Sequence, residues 1–204
     1  FESSAVATMR REIERFAFFS KAVFKLLERK HLEADIVHAN DWHTGALVTM
    51  LRNQKTKIKN KKIRTVFTIH NLANQGRWNF REIGAWFFAK GEQNVFAKSG
   101  GDCNFMAEGI RNADLVTTVS PTYAKEILTK EYGDGLDPLL RRRRRKLTGI
   151  LNGIDYDFFN PSRDPFLVAR YTPQNVSAGK ARNKEALLRT LGLARAPDAP
   201  SNSF

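Results

Sequence analysis

Between Val6 and Leu27 the apolar positions Val6, Met9, Ile13, Phe16, Val23 and Leu27 recur at spacings of three and four, with a gap of seven where Ser20 interrupts. That period is helical and predicts a helix from Ser4 to Lys30, capped by Ser3 or Ser4 and closed by Glu28-Arg29-Lys30. A coiled coil would leave a similar stripe. Phe18, Phe19 and Phe24 lie off it, however, so the helix is expected to be buried on more than one side, as core.

The pattern then alternates. Asp35-Ile36-Val37-His38 is a short apolar run, Thr44 to Leu51 reads helical, and Thr65-Val66-Phe67-Thr68-Ile69 is a β-branched run. A mixed stretch from Arg81 to Asn112 is expected to be helical in part, broken by Gly91 and by Ser99-Gly100-Gly101. Leu115 to Val119 is a further strand, followed by a helix with Ser120 as cap and Pro121 in its first position. Lys146 to Leu151 is a fourth short run, ending at the turn pair Asn152-Gly153. Strands and helices in alternation imply an α/β fold, a parallel sheet covered on both faces. Past Asp155 the pattern dissolves into Asn160-Pro161, Asp164-Pro165 and Thr172-Pro173, with a short helix from Lys184 to Leu191. No internal repeat is visible.

Composition narrows the classes. The 204 residues are 42% hydrophobic and 27% charged, enough for a packed core and too apolar for a disordered polymer. The lone cysteine, Cys103, excludes an intrachain disulfide and a cysteine-rich metal site. Charged residues interrupt every apolar stretch before about 18 residues accumulate, so no transmembrane helix and no membrane partner is expected. There is no basic-then-apolar leader. The start at Phe1 and the tail Ser201-Asn202-Ser203-Phe204 suggest a piece of a longer protein.

The net charge of +13 comes from two patches. Residues 51–64 hold seven cations, Arg52, Lys55, Lys57, Lys59, Lys61, Lys62 and Arg64, and residues 138–146 hold six, Arg141 to Arg145 plus Lys146. The other 21 basic residues balance the 21 acidic ones. Neither patch contains an aromatic residue, which favours solvated loops or helix ends over a nucleic-acid surface.

Ligands of an open parallel sheet bind outside the carboxyl ends of its strands. Those ends carry His38, Asn40, Asp41, Trp42 and His43 after the first strand, and His70, Asn71, Gln75 and Gly76 after the second. Ser120 follows the third, and Asn152 and Asp155 follow the fourth. Such donors and acceptors, beside glycines that let backbone approach closely, suit a polyhydroxylated ligand. Each has a simpler reading: Asp41 taken alone is first of all a cap for the helix starting near His43, and His70 can be a hydrogen-bonded residue closing the sheet edge. A metal at His38, Asp41, His43 and His70 lacks any supporting spacing. Ser120 has no flanking glycines for a nucleophile elbow. Gly133-Asp134-Gly135 meets Pro138 where a dinucleotide fingerprint needs its third glycine, and Gly179-Lys180 lacks the rest of a P-loop.

Four strings stand at these strand ends: DIVHANDWHTG (35–45), TVFTIHNLANQG (65–76), ADLVTTVSPTYAKEI (113–127) and GILNGIDYDFFNP (149–161). They resemble the bacterial and plant glycogen (starch) synthases, and ERFAFFSKAV (14–23) and GDGLDPLLRRRRRKL (133–147) fit the same order. The resemblance runs from Glu14 to Gly192. It implies the N-terminal, doubly wound Rossmann-like half of a two-domain GT-B glycosyltransferase. Residues 1–151 would be an incomplete N-terminal domain, and 152–204 a connection toward a second domain. The activity implied is retaining transfer of glucose from ADP-glucose to an α-1,4-glucan, without a cofactor or metal, in the cytoplasm or in the plastid of a plant. It implies catalytic roles for Asp41 and His70 in the sugar cleft, His70 bonding the donor glucose and Asp41 orienting sugar hydroxyls. His38, Asn40, Trp42, Asn71, Gln75, Gly76, Ser120, Asn152 and Asp155 would bind substrate. Such synthases carry a glycine-rich loop with a lysine and a second domain with a basic pair and a glutamate, none of which is in this sequence, so the chain alone is expected to be inactive. Asn74 stands where an aromatic is common and Ala107 where a lysine is common. Another nucleotide-sugar glycosyltransferase, or a non-catalytic glucan- or nucleic-acid-binding module, is the alternative.

Overall fold

The structure is a computed structural model and describes residues 4–29, 32–53, 63–79 and 102–193. It divides into two compact units, residues 1–152 and 153–204.

The first unit opens with helix α1, Ser4–Glu28. Its apolar stripe buries Ile13, Ala17, Phe24 and Leu27, while Arg10–Glu14, Arg15–Glu12 and Lys25–Glu28 pair along the solvent side. Such exposed pairs contribute only about 0.2–0.5 kcal/mol each, so burial of the stripe is what holds the helix. Ser20 does not break it: the side chain is fully buried and its hydroxyl donates to the His43 carbonyl at 3.4 Å. Strand β1 (Ile36–Asn40), a 3₁₀ turn (Trp42–Thr44) and helix α2 (Gly45–Asn53) follow. Then come β2 (Arg64–Ile69), β3 (Arg77–Asn79), β4 (Asp102–Asn104) and α3 (Phe105–Asn112). The unit continues with β5 (Leu115–Thr118), α4 (Pro121–Glu126), α5 (Asp137–Arg143), a 3₁₀ turn (Arg144–Lys146) and β6 (Leu147–Gly149).

The main sheet is parallel throughout, in the order β1-β2-β5-β6, with Ala39 opposite Phe67, Phe67 opposite Val116, and Val116 opposite Leu147. Ala39, Phe67, Ile69 and Val116 join Leu47, Val48, Phe105, Met106, Ile110 and Leu140 in the core. Gly109 is where α3 meets the sheet, since a Cβ there would come within 2.4 Å of the Phe67 ring. The opposite face carries His38 and Asn40 of β1, both exposed, and Thr68 and Thr117, buried and joined through their hydroxyls at 2.6 Å.

A short antiparallel pair was not expected, and the arginine run takes the helix-end setting that was one of the two expected for it. β3 and β4 form a separate antiparallel pair, Trp78 opposite Cys103. The arginine run is the last turn of α5 and the 3₁₀ turn after it, where a helix carboxyl end favours cations. Arg141, itself exposed, pairs with Asp137 at 2.6 Å, and Arg143 donates to the Ala113 carbonyl, so part of the run braces the fold. The lysines of the first patch, and the mixed stretch from Arg81 to Gly101, lie outside the described residues.

In the second unit a 3₁₀ turn (Pro173–Asn175) leads into α6, Val176–Thr190, longer than the helix expected from Lys184. Asn183 ties it to the preceding loop, donating to Ala169 O at 2.7 Å and accepting from Ala169 N at 2.9 Å.

Candidate active site

The carboxyl ends of β1 and β2 are stitched together by one aspartate. Asp41 N–H donates to the Thr68 carbonyl at 2.9 Å, and Asp41 Oδ1 accepts the His70 N–H at 2.8 Å and the Asn71 N–H at 3.4 Å. This corrects the capping expectation: Asp41 occupies the cap position of the 3₁₀ turn, but its side chain makes no capping bond there. The carboxylate reaches across to β2 instead. The backbone pays through φ 55° and ψ −177°, a region that side-chain-bearing residues rarely occupy. These side-chain bonds use one carboxylate oxygen, Oδ1.

His70 is exposed, and its ring Nε2 lies 3.0 Å from Asn40 Oδ1. Asn40, Asp41, His70 and Asn71 thus sit on one rim. Asn71 also folds its own loop, its Oδ1 accepting the Ala73 N–H at 3.0 Å. His38 lies further back on β1, with Nε2 2.6 Å from Thr68 Oγ1. His43 turns the other way, stacked on Trp42 at 4.2 Å and edge-on to Phe16 at 4.4 Å. Burial holds its pKa below the ordinary imidazole value, against the opposing pull of Asp41. The three imidazoles therefore face separate partners, and among the described residues no three His, Cys, Asp or Glu side chains gather as a metal site.

Trp42, Gln75 and Gly76 lie beneath the rim. Trp42 is 4% exposed and packs edge-on to Phe16 at 5.4 Å. Gly76 has φ +58°, and a Cβ there would come within 2.2 Å of Trp42 Cε3, so only glycine lets the loop lie on the indole. The buried Gln75 is a hub: Nε2 donates to Asp134 O at 2.9 Å, and Oε1 accepts from Arg77 Nε at 2.9 Å, Arg77 Nη2 at 2.7 Å and Asn104 Nδ2 at 2.7 Å. These three residues fix the loop that carries His70 and Asn71.

Ser120, at the end of β5, caps α4 by accepting the Tyr123 N–H at 2.9 Å. Tyr123 Oη in turn accepts the Leu72 N–H at 3.2 Å, which ties the third strand end to the second. Asn152 is exposed, three residues beyond β6. Asp155 belongs to the second unit, where its Oδ1 closes a turn on the N–H groups of Asp157 and Phe158 at 2.9 and 3.0 Å. Of the two departures, Asn74 is exposed in the His70 loop and Ala107 is buried in the first turn of α3.

Gly133-Asp134-Gly135, which lacks the third glycine of a nucleotide fingerprint and opens the family-like string 133–147, supplies the carbonyl that anchors Gln75. A positive φ at both Asp134 and Gly135 marks the turn that presents it. Nothing local in the sequence links residues 75 and 134. What the rim offers chemically is an imidazole, a carboxylate oxygen and amide groups, all fixed by main-chain or side-chain bonds, which suits orientation of hydroxyl groups rather than nucleophilic attack.

Comparison with known proteins identifies the family. Residues 3–142 match the sequence profile of the starch synthase catalytic domain. A glycogen synthase of Thermodesulfovibrio yellowstonii is 41% identical over 196 residues, 94% of this chain and 39% of that protein. One of Clostridium novyi is 44% identical over 197 residues, 92% of this chain and 40% of that protein. The structure matches the catalytic domain of starch synthase IV from Arabidopsis thaliana bound to ADP and acarbose, with TM-score 0.73 and 33% identity over 97% of this chain and 40% of that one. The chain spans about two-fifths of the length of these relatives. With its parallel α/β sheet and flanking helices, the chain belongs to the starch synthase catalytic domain family.

Proposed function

We propose that this chain is the N-terminal part of a retaining glucosyltransferase that extends an α-1,4-glucan from ADP-glucose. The observation that carries the reading is the juxtaposition of Asp41 and His70 at the ends of two parallel strands, in a chain of this family. On this reading His70 hydrogen-bonds the donor glucose and the other carboxylate oxygen of Asp41 orients a sugar hydroxyl near the transferring carbon. The same reading gives Asn40, Asn71 and Ser120 to the sugar cleft, with Trp42, Gln75 and Gly76 supporting the loop beneath it. The acceptor hydroxyl attacks from the face the diphosphate leaves, and the departing phosphate oxygen takes its proton. No protein nucleophile is needed; the gain comes from positioning and from stabilising the leaving diphosphate.

That stabilisation needs cations near the diphosphate, which this reading assigns to a glycine-rich loop with its lysine and to a second domain, reached through the segment from residue 152 onward. A cytoplasmic or plastid location goes with it, and no helix among the described residues is long and apolar enough to cross a membrane. The test is a panel of nucleotide sugars offered to a protein of the relatives' length that carries this chain, beside the 204 residues alone. Transfer from ADP-glucose to glycogen by the long protein only is expected. Preference for a different sugar, or robust transfer by the isolated chain, contradicts the proposal.

A further inference from the structure

His70 is held at two points. Its backbone N–H goes to Asp41 Oδ1 at 2.8 Å, and its ring Nε2 meets Asn40 Oδ1 at 3.0 Å. Asn40 is itself well placed: it ends β1 in register with Thr68, and its carbonyl accepts the Thr44 hydroxyl at 2.9 Å. With the amide oxygen turned to the ring, the contact is a hydrogen bond only when Nε2 carries the imidazole proton, because that oxygen can only accept. In the neutral ring Nδ1 is then the bare acceptor. His38 offers a contrast one residue pair back, since its Nε2 meets a threonine hydroxyl that can give or take the proton and so imposes no tautomer.

We infer that Asn40 is a positioning residue for His70: it fixes the Nε2–H tautomer and so makes Nδ1 a hydrogen-bond acceptor for a hydroxyl of the bound donor sugar. The identity of that ligand rests on the glucosyltransferase reading; the tautomer does not. Asn40 therefore acts through the imidazole rather than on the sugar. A sugar hydroxyl donates to Nδ1, and its own oxygen stays free to accept from elsewhere on the ligand or in the cleft. An asparagine that merely stitched β1 to β2 would set stability and leave the tautomer unbiased.

The experiment is ¹⁵N NMR of the histidine rings in the 204-residue chain, with His70 assigned by its loss in His70→Gln, together with kinetics of the long protein. The Nε2–H tautomer of His70 is expected in the parent and in Asn40→Asp, which keeps an acceptor oxygen, and a tautomer mixture in Asn40→Leu. In the long protein, kcat with ADP-glucose is expected to fall about ten-fold in Asn40→Leu and to recover in Asn40→Asp, an order suited to a positioning group. A parent His70 protonated on Nδ1, or an Asn40→Leu spectrum unchanged from the parent, overturns the inference. So does unchanged kcat in Asn40→Leu while His70→Ala abolishes turnover. Normal turnover in His70→Ala, with the tautomer result intact, overturns instead the glucosyl-donor reading and with it the role given to Nδ1.

Discussion

Asp41 Oδ1 lies 2.8 Å from the backbone nitrogen of His70, and this one hydrogen bond joins the carboxyl ends of two parallel strands across 29 positions of sequence. It explains why an aspartate tolerates a backbone conformation that suits glycine better. The charge-assisted bond offsets the strain, and the strain aims the carboxylate away from its own helix.

Removing the carboxylate should therefore separate two effects. Asp41→Ala loses the acceptor and keeps the strain, and is expected to cost about 2–3 kcal/mol of stability. Asp41→Gly loses the same acceptor but relaxes φ, and should be less destabilising than alanine by roughly 1 kcal/mol. Asp41→Asn retains an acceptor and should cost least. Urea midpoints of the three variants check the order; a glycine variant weaker than the alanine variant would mean that no strain is stored there.

Gly76→Ala places a methyl group 2.2 Å from Trp42 Cε3 at φ +58°. Overpacking and backbone strain together predict a loss of about 2–4 kcal/mol. Combining it with Trp42→Leu should cost less than the sum of the two single changes, because the leucine removes the clash but not the φ penalty. Strict additivity in thermal melts would place the loop elsewhere than on the indole.

Gln75→Leu removes the partner of three residues at once and leaves the Asp134 carbonyl, Arg77 and Asn104 without it. The expected cost is roughly 2–4 kcal/mol. Faster amide exchange at His70 and Asn71 should accompany it, since Gln75 fixes their loop. Unchanged exchange at those two amides would show that the loop is held without the hub.

Glu108 supplies a pH dependence. Burial raises its pKa from the ordinary 4.5, only partly opposed by Arg111 and by hydrogen bonds to Asn112 and Thr49. The folded state then binds its proton more tightly than the unfolded state. Stability from this group is fully present below the unfolded value and is lost as pH rises through the ordinary value toward the raised one. Glu108→Gln should match or exceed the parent in stability at about pH 8 and lose that advantage near pH 4. A variant that is weaker than the parent at the higher pH would show that attraction to Arg111 outweighs desolvation.

Much of this fold is written locally. The three-and-four stripe of α1, the β-branched runs of β2 and β5 and the Ser120-Pro121 start of α4 are each decided by neighbours in sequence, and they could be read there. The β3–β4 pair could not, because strands of three residues carry no period. The α5 helix was obscured by its own arginines, which look like a solvated run until Asp137 and the Ala113 carbonyl are seen to hold two of them. At the rim, topology brought Asn40, Asp41, His70 and Asn71 together, since all end or follow strands that lie side by side. What stayed hidden was the work each side chain does. Read alone, Asp41 suggests a cap because its helix is adjacent, whereas its side-chain partner follows the next strand; Gln75 finds partners 29 and 59 positions away.

The most direct measurement of the central claim is the turnover of ADP-glucose onto glycogen by a protein of the relatives' length carrying this chain, compared with its His70→Ala variant. A fall of tens-fold or more, with the variant as stable as the parent, is the predicted result for a group that positions the donor. Turnover close to the parent's would contradict the account and return His70 to the role of a residue that closes the edge of a sheet.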